Sequence, residues 1–208
     1  SMEEVPAWVD MDLVREGARV SRNYMATMVP FAIRGAFIAT FMNKYSGLPM
    51  ALTGALSKDN SSTQRINETA SFFTCATLPH ALERRGAGFL AAAMVRLMHS
   101  VVRFNLINHS KVWNLDVYGI PIPQIDQIPA GTMPSFLNAY AIVSSGRKHF
   151  DHQQRATTEL CRYQSYLLGL PEDLLPETPH EIFDRMVAYA GTLRDGYDEA
   201  TCGRMVRS

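Results

Sequence analysis

The sequence has no surplus of charge of either sign. Lys and Arg together number 20, as do Asp and Glu, for a formal net charge of zero. Without a basic footprint, nucleic acid is not an expected partner. Cysteine is nearly absent. Cys75, Cys161 and Cys202 are far apart, odd in number and without a CxxC pair. That supports neither a disulfide framework nor a zinc ribbon and points to a reducing, cytoplasmic setting. Long apolar runs are missing too: "FAIRGAFIATF" (31–41) is short and broken by Arg34, so no stretch is expected to span a bilayer. Any membrane association is expected to come from a segment that precedes this sequence, because Ser1, and with it Met2, reads as an expression scar.

Several catalytic signatures are absent as well. There is no GxSxG elbow, no GxxxxGK[ST] phosphate loop, no HExxH and no Rossmann glycine pattern. "RRGAGFLAA" has glycines ahead of a helix but follows no strand, so it does not read as a nucleotide site.

What the chain does contain is helical periodicity over most of its length. At 47 % apolar and 19 % charged residues, 208 residues can bury a real core. Asp10 is placed to cap a first helix, and Pro30 to open an apolar second one ended by Ser46-Gly47. A third helix is expected from about Ser62 to the stop at Pro79, and a long fourth over Ala87–Asn108. Pro121, Pro123 and Pro129 then break the pattern and predict an extended, turn-rich loop. Helices resume with Thr132 as cap, again from Asp151 to Pro171, and finally from Thr178, with Pro179 and Glu181 completing a helix start. The expectation is one all-α domain over 1–208, a bundle of about seven or eight helices without strands or repeats.

One helix is chemically unusual. In "RLMHSVVR", Arg96 and Arg103 flank His99 at spacings of three and four, so all three share a helix face. Buried arginines need anions. From spacing alone the plainer reading is a core histidine bonded to a carbonyl, with arginines reaching past the core to acids. The sharper one is an axial haem ligand whose arginines meet the propionates, with small residues Ala91 to Ala93 admitting a bulky group. Upstream, Arg65, Glu68 and Thr69 also share a face, followed by Phe72 and Phe73; a pocket wall or a plain Arg65–Glu68 surface pair both fit. "HFDHQQR" places His149 and His152 at a metal-ligand spacing but reads as a solvated helix start.

"RLMHSVVR" resembles the RxxHxxxR signature of the family that holds the latex-clearing proteins (rubber oxygenases) and the fungal MpaB-type oxygenases. "RINETASFF" is similar to that family's upstream arginine-and-threonine helix, "VWNLDVYGIPIPQIDQIPAGTMPSF" to its proline loop and "YQSYLLGLPEDLLPETPHE" to its tail. Together these segments cover about 62–186, in the right order.

The resemblance implies haem b in a pocket in the helical core, with His99 as proximal iron ligand. Arg96, Arg103 and Arg65 fall on the family's cofactor-side arginines, and Thr69 on a threonine near the distal side. It further implies O₂-dependent cleavage of a carbon–carbon double bond in an apolar, isoprenoid-like substrate, with Thr69 and Arg65 as catalytic candidates. Two departures stand out: Glu68 occupies the place of a lysine in rubber oxygenases, and Pro123 that of an asparagine in many members. A haem-binding protein without oxygenase activity, and a metal-free helical module, are the alternative readings.

Overall fold

The computed structural model describes residues 2, 4–23, 44–53, 61–123, 127–192 and 203, and these contain helices and no strands. In chain order the helices are α1 (11–23), α2 (Lys44–Leu52), α3 (Ser61–Ala76), α4 (Ala87–His109), α5 (Leu115–Tyr118), α6 (Gln127–Ser144), α7 (His152–Leu168) and α8 (Pro179–Thr192). A 3₁₀ turn at Glu172–Leu174 links the last two.

Caps fix several of these boundaries. Asp10 Oδ1 accepts from the N–H groups of Asp12 and Leu13 and opens α1. Asp151 starts α7 with a reciprocal capping box: its carboxylate accepts from Gln154 N at 2.8 Å, and Gln154 Oε1 accepts from Asp151 N at 3.0 Å. That settles "HFDHQQR" as a helix start, with His149 and His152 exposed. Gly169, left-handed at φ 99°, ends α7 before Pro171 is reached. Thr178 Oγ1 accepts from Glu181 N at 3.2 Å at the head of α8.

Four expectations change. The apolar helix expected from Pro30 falls largely outside the described residues, but its expected terminus does not hold. Ser46 and Gly47 lie inside α2, which continues through Pro49. Helix α6 begins at Gln127 rather than after Thr132; Pro129 falls in its first turn, where a missing N–H has no intrahelical partner to lose. The proline loop holds a short helix, α5, capped by the Asn114 side chain on Asp116 N. Finally, α4 is long and apolar enough to cross a membrane by length and composition, although no such stretch was expected. Its two charges interrupt the run without lowering its mean hydropathy far enough.

Helix α7 is the axis of the structure. It packs against α4, α6 and α8, and α6 also packs along α8. Helix α1 lies so close to α7 that a Cβ on Gly17 would sit 2.1 Å from the Ala156 carbonyl oxygen. The main core joins Val14 and Ala18 of α1, Ala76 of α3, Phe89 and Ala92 of α4, and Leu160, Tyr163 and Leu167 of α7. Beside it, Arg162 stacks over Trp8 with its guanidinium carbon 4.1 Å from the ring centre and bonds Glu177 at 2.8 Å.

Candidate functional site

Helices α3 and α4 form an antiparallel hairpin. They touch closely at the turn end, where a Cβ on Gly88 would lie 3.0 Å from the Ala76 Cα. From there a groove of about 860 Å³ runs between them. That volume lies within the range of about 300–1,000 Å³ typical of small-molecule sites. The α3 wall is a helical stripe, Gln64, Asn67, Glu68, Ser71, Phe72 and Cys75, and the α4 wall is Ala91, Met94 and Val95. One wall is therefore largely polar, the other entirely apolar.

His99 continues the α4 wall: it lies one turn beyond Val95 and two beyond Ala91, and its side chain is half-buried. Arg96 turns away from the groove toward the end of α7, where its Nε would lie 3.4 Å from a Cβ on Gly169. The negative end of the α7 dipole makes that a favourable place for a guanidinium. Arg103 Nε donates to the Pro121 carbonyl at 3.1 Å, and its Nη2 to the Ile122 carbonyl. This fork holds the proline loop against α4. The loop needs holding, since Ile122 sits at φ 48°, a region a β-branched residue rarely adopts. Trp113 Nε1, donating to the Gly119 carbonyl at 2.9 Å, closes the loop's other side.

On α3, Glu68 lines the groove and its Oε1 accepts from Gln64 Nε2 at 2.8 Å. Thr69 is half-buried one position round the helix and is not one of the groove-lining residues. Arg65 lies on the same helix, but its side chain is outside the described residues. Of the two phenylalanines, Phe72 reaches the groove and Phe73 is buried. The groove thus brings together Glu68, Phe72 and the helix face that bears His99. It does not bring Arg96 or Arg103 to the same place.

Sequence reasoning missed Asn67, Ser71 and Cys75 as lining residues. Their spacing from Gln64, at three, seven and eleven residues, was the available signal. Cys75 and Cys161 form no disulfide and lie in different surroundings. Cys75 borders the groove, while complete burial pushes the Cys161 thiol up to about 12. His80 bonds Glu83 Oε1 through Nδ1 at 2.7 Å, and Arg15 Nε donates to the same carboxylate oxygen at 2.8 Å. The resulting contacts hold the Glu83 carboxyl below the usual glutamate range, His80 contributing most. No cluster of three or more His, Cys, Asp or Glu side chains suited to a metal ion occurs among the described residues.

The family model described as "ER-bound oxygenase mpaB/B'/Rubber oxygenase, catalytic domain" matches residues 19–202. The chain belongs to this family. Among solved structures, latex clearing protein in its closed state superposes on the chain with a TM-score of 0.70 at 19 % identity. The match covers 93 % of this chain and 51 % of latex clearing protein, so the chain spans about half the length of that relative. At that identity the likeness is one of fold. No curated protein matches the sequence. Within the MpaB and rubber oxygenase family, then, the α3–α4 hairpin carries both the RxxHxxxR helix and the arginine-and-threonine helix recognised in the sequence.

The features of the hairpin fit haem b. A flat apolar group needs an open-ended groove with an apolar wall, and a single imidazole suffices as protein ligand to iron. The α3–α4 groove has the wall, and His99 stands at its continuation on a helix rather than a loop. The arginines fit less simply, since the Arg103 fork is already engaged with main-chain carbonyls.

Proposed function

We propose that this chain is a haem-b-dependent oxygenase that uses O₂ to cleave a carbon–carbon double bond in an apolar, isoprenoid-like substrate. Family membership supports oxygenase chemistry, and one observation carries the assignment of the site. A groove of about 860 Å³ lies between the two helices that hold the family motifs, and the wall it presents on α4 leads to His99.

Bound haem supplies the O₂ activation and the redox chemistry that no side chain here provides. The chain's own residues do the rest. His99 offers a ring nitrogen to the iron from a helix anchored by Phe89, Ala92 and Leu106. Phe72, Met94 and Val95 exclude water and give an apolar substrate a surface to lie against. Thr69 and Arg65 are the catalytic candidates that the family resemblance gives: the Thr69 hydroxyl, beside the groove rather than in its lining, would orient O₂, and the Arg65 guanidinium would neutralise a propionate. Arg96, the other arginine flanking His99, points to the end of α7 and acts there on the helix packing rather than in the groove. Arg103 acts chiefly on the loop, fixing Pro121 and Ile122 beside the site.

The test is an absorption spectrum of the purified chain before and after adding hemin, alongside His99→Ala. A stoichiometric Soret band that is lost in the variant supports the ligand assignment. The absence of any band after reconstitution overturns the proposal and leaves the metal-free module.

A second reading, haem binding without oxygenase activity, is favoured by Glu68. An anion lines the groove where rubber oxygenases carry a lysine. Oxygen uptake by the reconstituted protein with an alkene substrate separates the two readings, since uptake coupled to carbonyl formation is expected only of the oxygenase.

A further inference from the structure

Helix α4 presents a second surface, on the side away from its buried residues. Gly88, Ala92 and Leu106 point into the protein. On the opposite arc lie Leu90, Met94, Leu97, Met98, Val101 and Phe104, from 41 % exposed at Met98 to 64 % at Met94. Beyond the helix, the turn and α5 add Val112, Leu115, Val117 and Ile120, all exposed. A soluble surface seldom gathers so many large apolar side chains without something to cover them.

The charge around this face says what that cover is. Between Glu83 and Asp116 there is not one acidic residue, yet the segment holds Arg84, Arg85, Arg96, Arg103 and Lys111, five of the chain's 20 Lys and Arg. In a chain of zero net charge this is a local excess. Arg96 and Arg103 are turned inward to main-chain positions, whereas Arg84 and Arg85 at one end of the helix and Lys111 at the other are exposed. An apolar face with cations at both ends matches an anionic lipid surface: acyl chains meet the side chains, headgroups meet the cations. A second copy fits poorly over α4, because it would bring the same acid-free helix and its flanking cations against themselves; the exposed Asp116 lies beyond them on α5. The helix is also unsuited to crossing the bilayer while folded here, since its inner face is packed on α3 and α7.

We propose that the outer face of α4, with the adjoining α5 turn, seats this protein on an anionic bilayer with α4 lying in the plane of the interface. This does not depend on the haem reading. It has a consequence for it, however, because Met94 belongs both to this face and to the groove wall. An apolar substrate dissolved in the bilayer would reach the groove without passing through water.

The test is flotation of the full chain with vesicles of phosphatidylcholine alone or with about 30 % phosphatidylserine. Binding is expected to the anionic vesicles, weakening as salt is raised to about 0.5 M. Arg85→Glu with Lys111→Glu should weaken it about tenfold or more. Leu97→Glu with Val101→Glu should abolish it, with helical content and Tm unchanged as a check on folding. Sedimentation velocity without lipid is run in parallel. Failure to bind either vesicle, or binding that survives both variants, overturns the proposal. So does a dimer that the α4 variants convert to monomer, which would assign the face to a second copy instead.

Discussion

Helices α7 and α4 reverse what their compositions suggest. Helix α7, HQQRATTELCRYQSYLL, is rich in polar residues, yet eleven of its side chains are buried, among them Gln154, Thr157, Thr158, Gln164 and Ser165. Helix α4 is mostly apolar, yet only Gly88, Phe89, Ala92 and Leu106 are buried. Three of these polar side chains find partners: Thr157 and Thr158 Oγ1 both donate to the Gln154 carbonyl, and Gln154 Oε1 accepts from Asp151 N in the capping box, whereas Gln164 Nε2 and Ser165 Oγ are buried without a hydrogen bond among the described residues. Helix α7 is therefore scaffold. Helix α4, with one face in the core, one toward the groove and one outward, is the working surface.

Matched substitutions would break or sharpen this contrast. Leu160→Ala in α7 should cost about 2–5 kcal/mol, because the side chain is fully buried in the main core and leaves a cavity. At roughly 2–4 °C per kcal/mol for a chain of this size, calorimetry should register a large fall in Tm. If Tm barely moves, α7 is not the axis described here.

Arg103→Ala should cost about 1.5–3 kcal/mol, the worth of hydrogen bonds from a charged donor. It should also expose the 119–123 loop to proteases in limited digestion, and Arg103→Lys should rescue only part, lacking the fork. An undigested loop in the alanine variant would mean that Trp113 alone holds it.

Asp151→Ala removes the α7 capping box and should lower stability by about 1 kcal/mol, read from urea unfolding. The smallest effect belongs to Leu97→Ala. As an exposed residue on α4 it should change stability by less than about 0.5 kcal/mol. A loss comparable with that of Leu160→Ala would show the outer face of α4 to be covered in solution.

Much of the fold was legible because helix ends carry their own chemistry. Asp10, Asp151 and Thr178 with Glu181 were read as starts and act as starts. The errors came where one residue type has two meanings. Pro129 reads as a breaker, but in the first turn of α6 it breaks nothing. Ser46-Gly47 reads as a terminator, yet helix α2 runs through both. The site was half visible. The Arg96–His99–Arg103 spacing and the Phe72 position were readable from periodicity. The acceptors of Arg103 were not, because main-chain carbonyls of residues 18 and 19 positions away leave no mark on the sequence. Nor was the exposure of α4, since an apolar helix in a sequence looks like core whichever way it faces.

The tight contact between Gly88 and Ala76 has a consequence at a distance. It acts as the pivot of a pair of tweezers whose arms are α3 and α4. With a rise of about 1.5 Å per residue, His99 lies about 16 Å along the arm from Gly88, so a swing of about 4° there moves it about 1 Å. Reacting groups are sensitive to displacements of that size. A bulkier side chain at Gly88 or Ala76 would therefore widen the mouth of the groove without touching anything in it, and the turn end of the hairpin is where its gape is set.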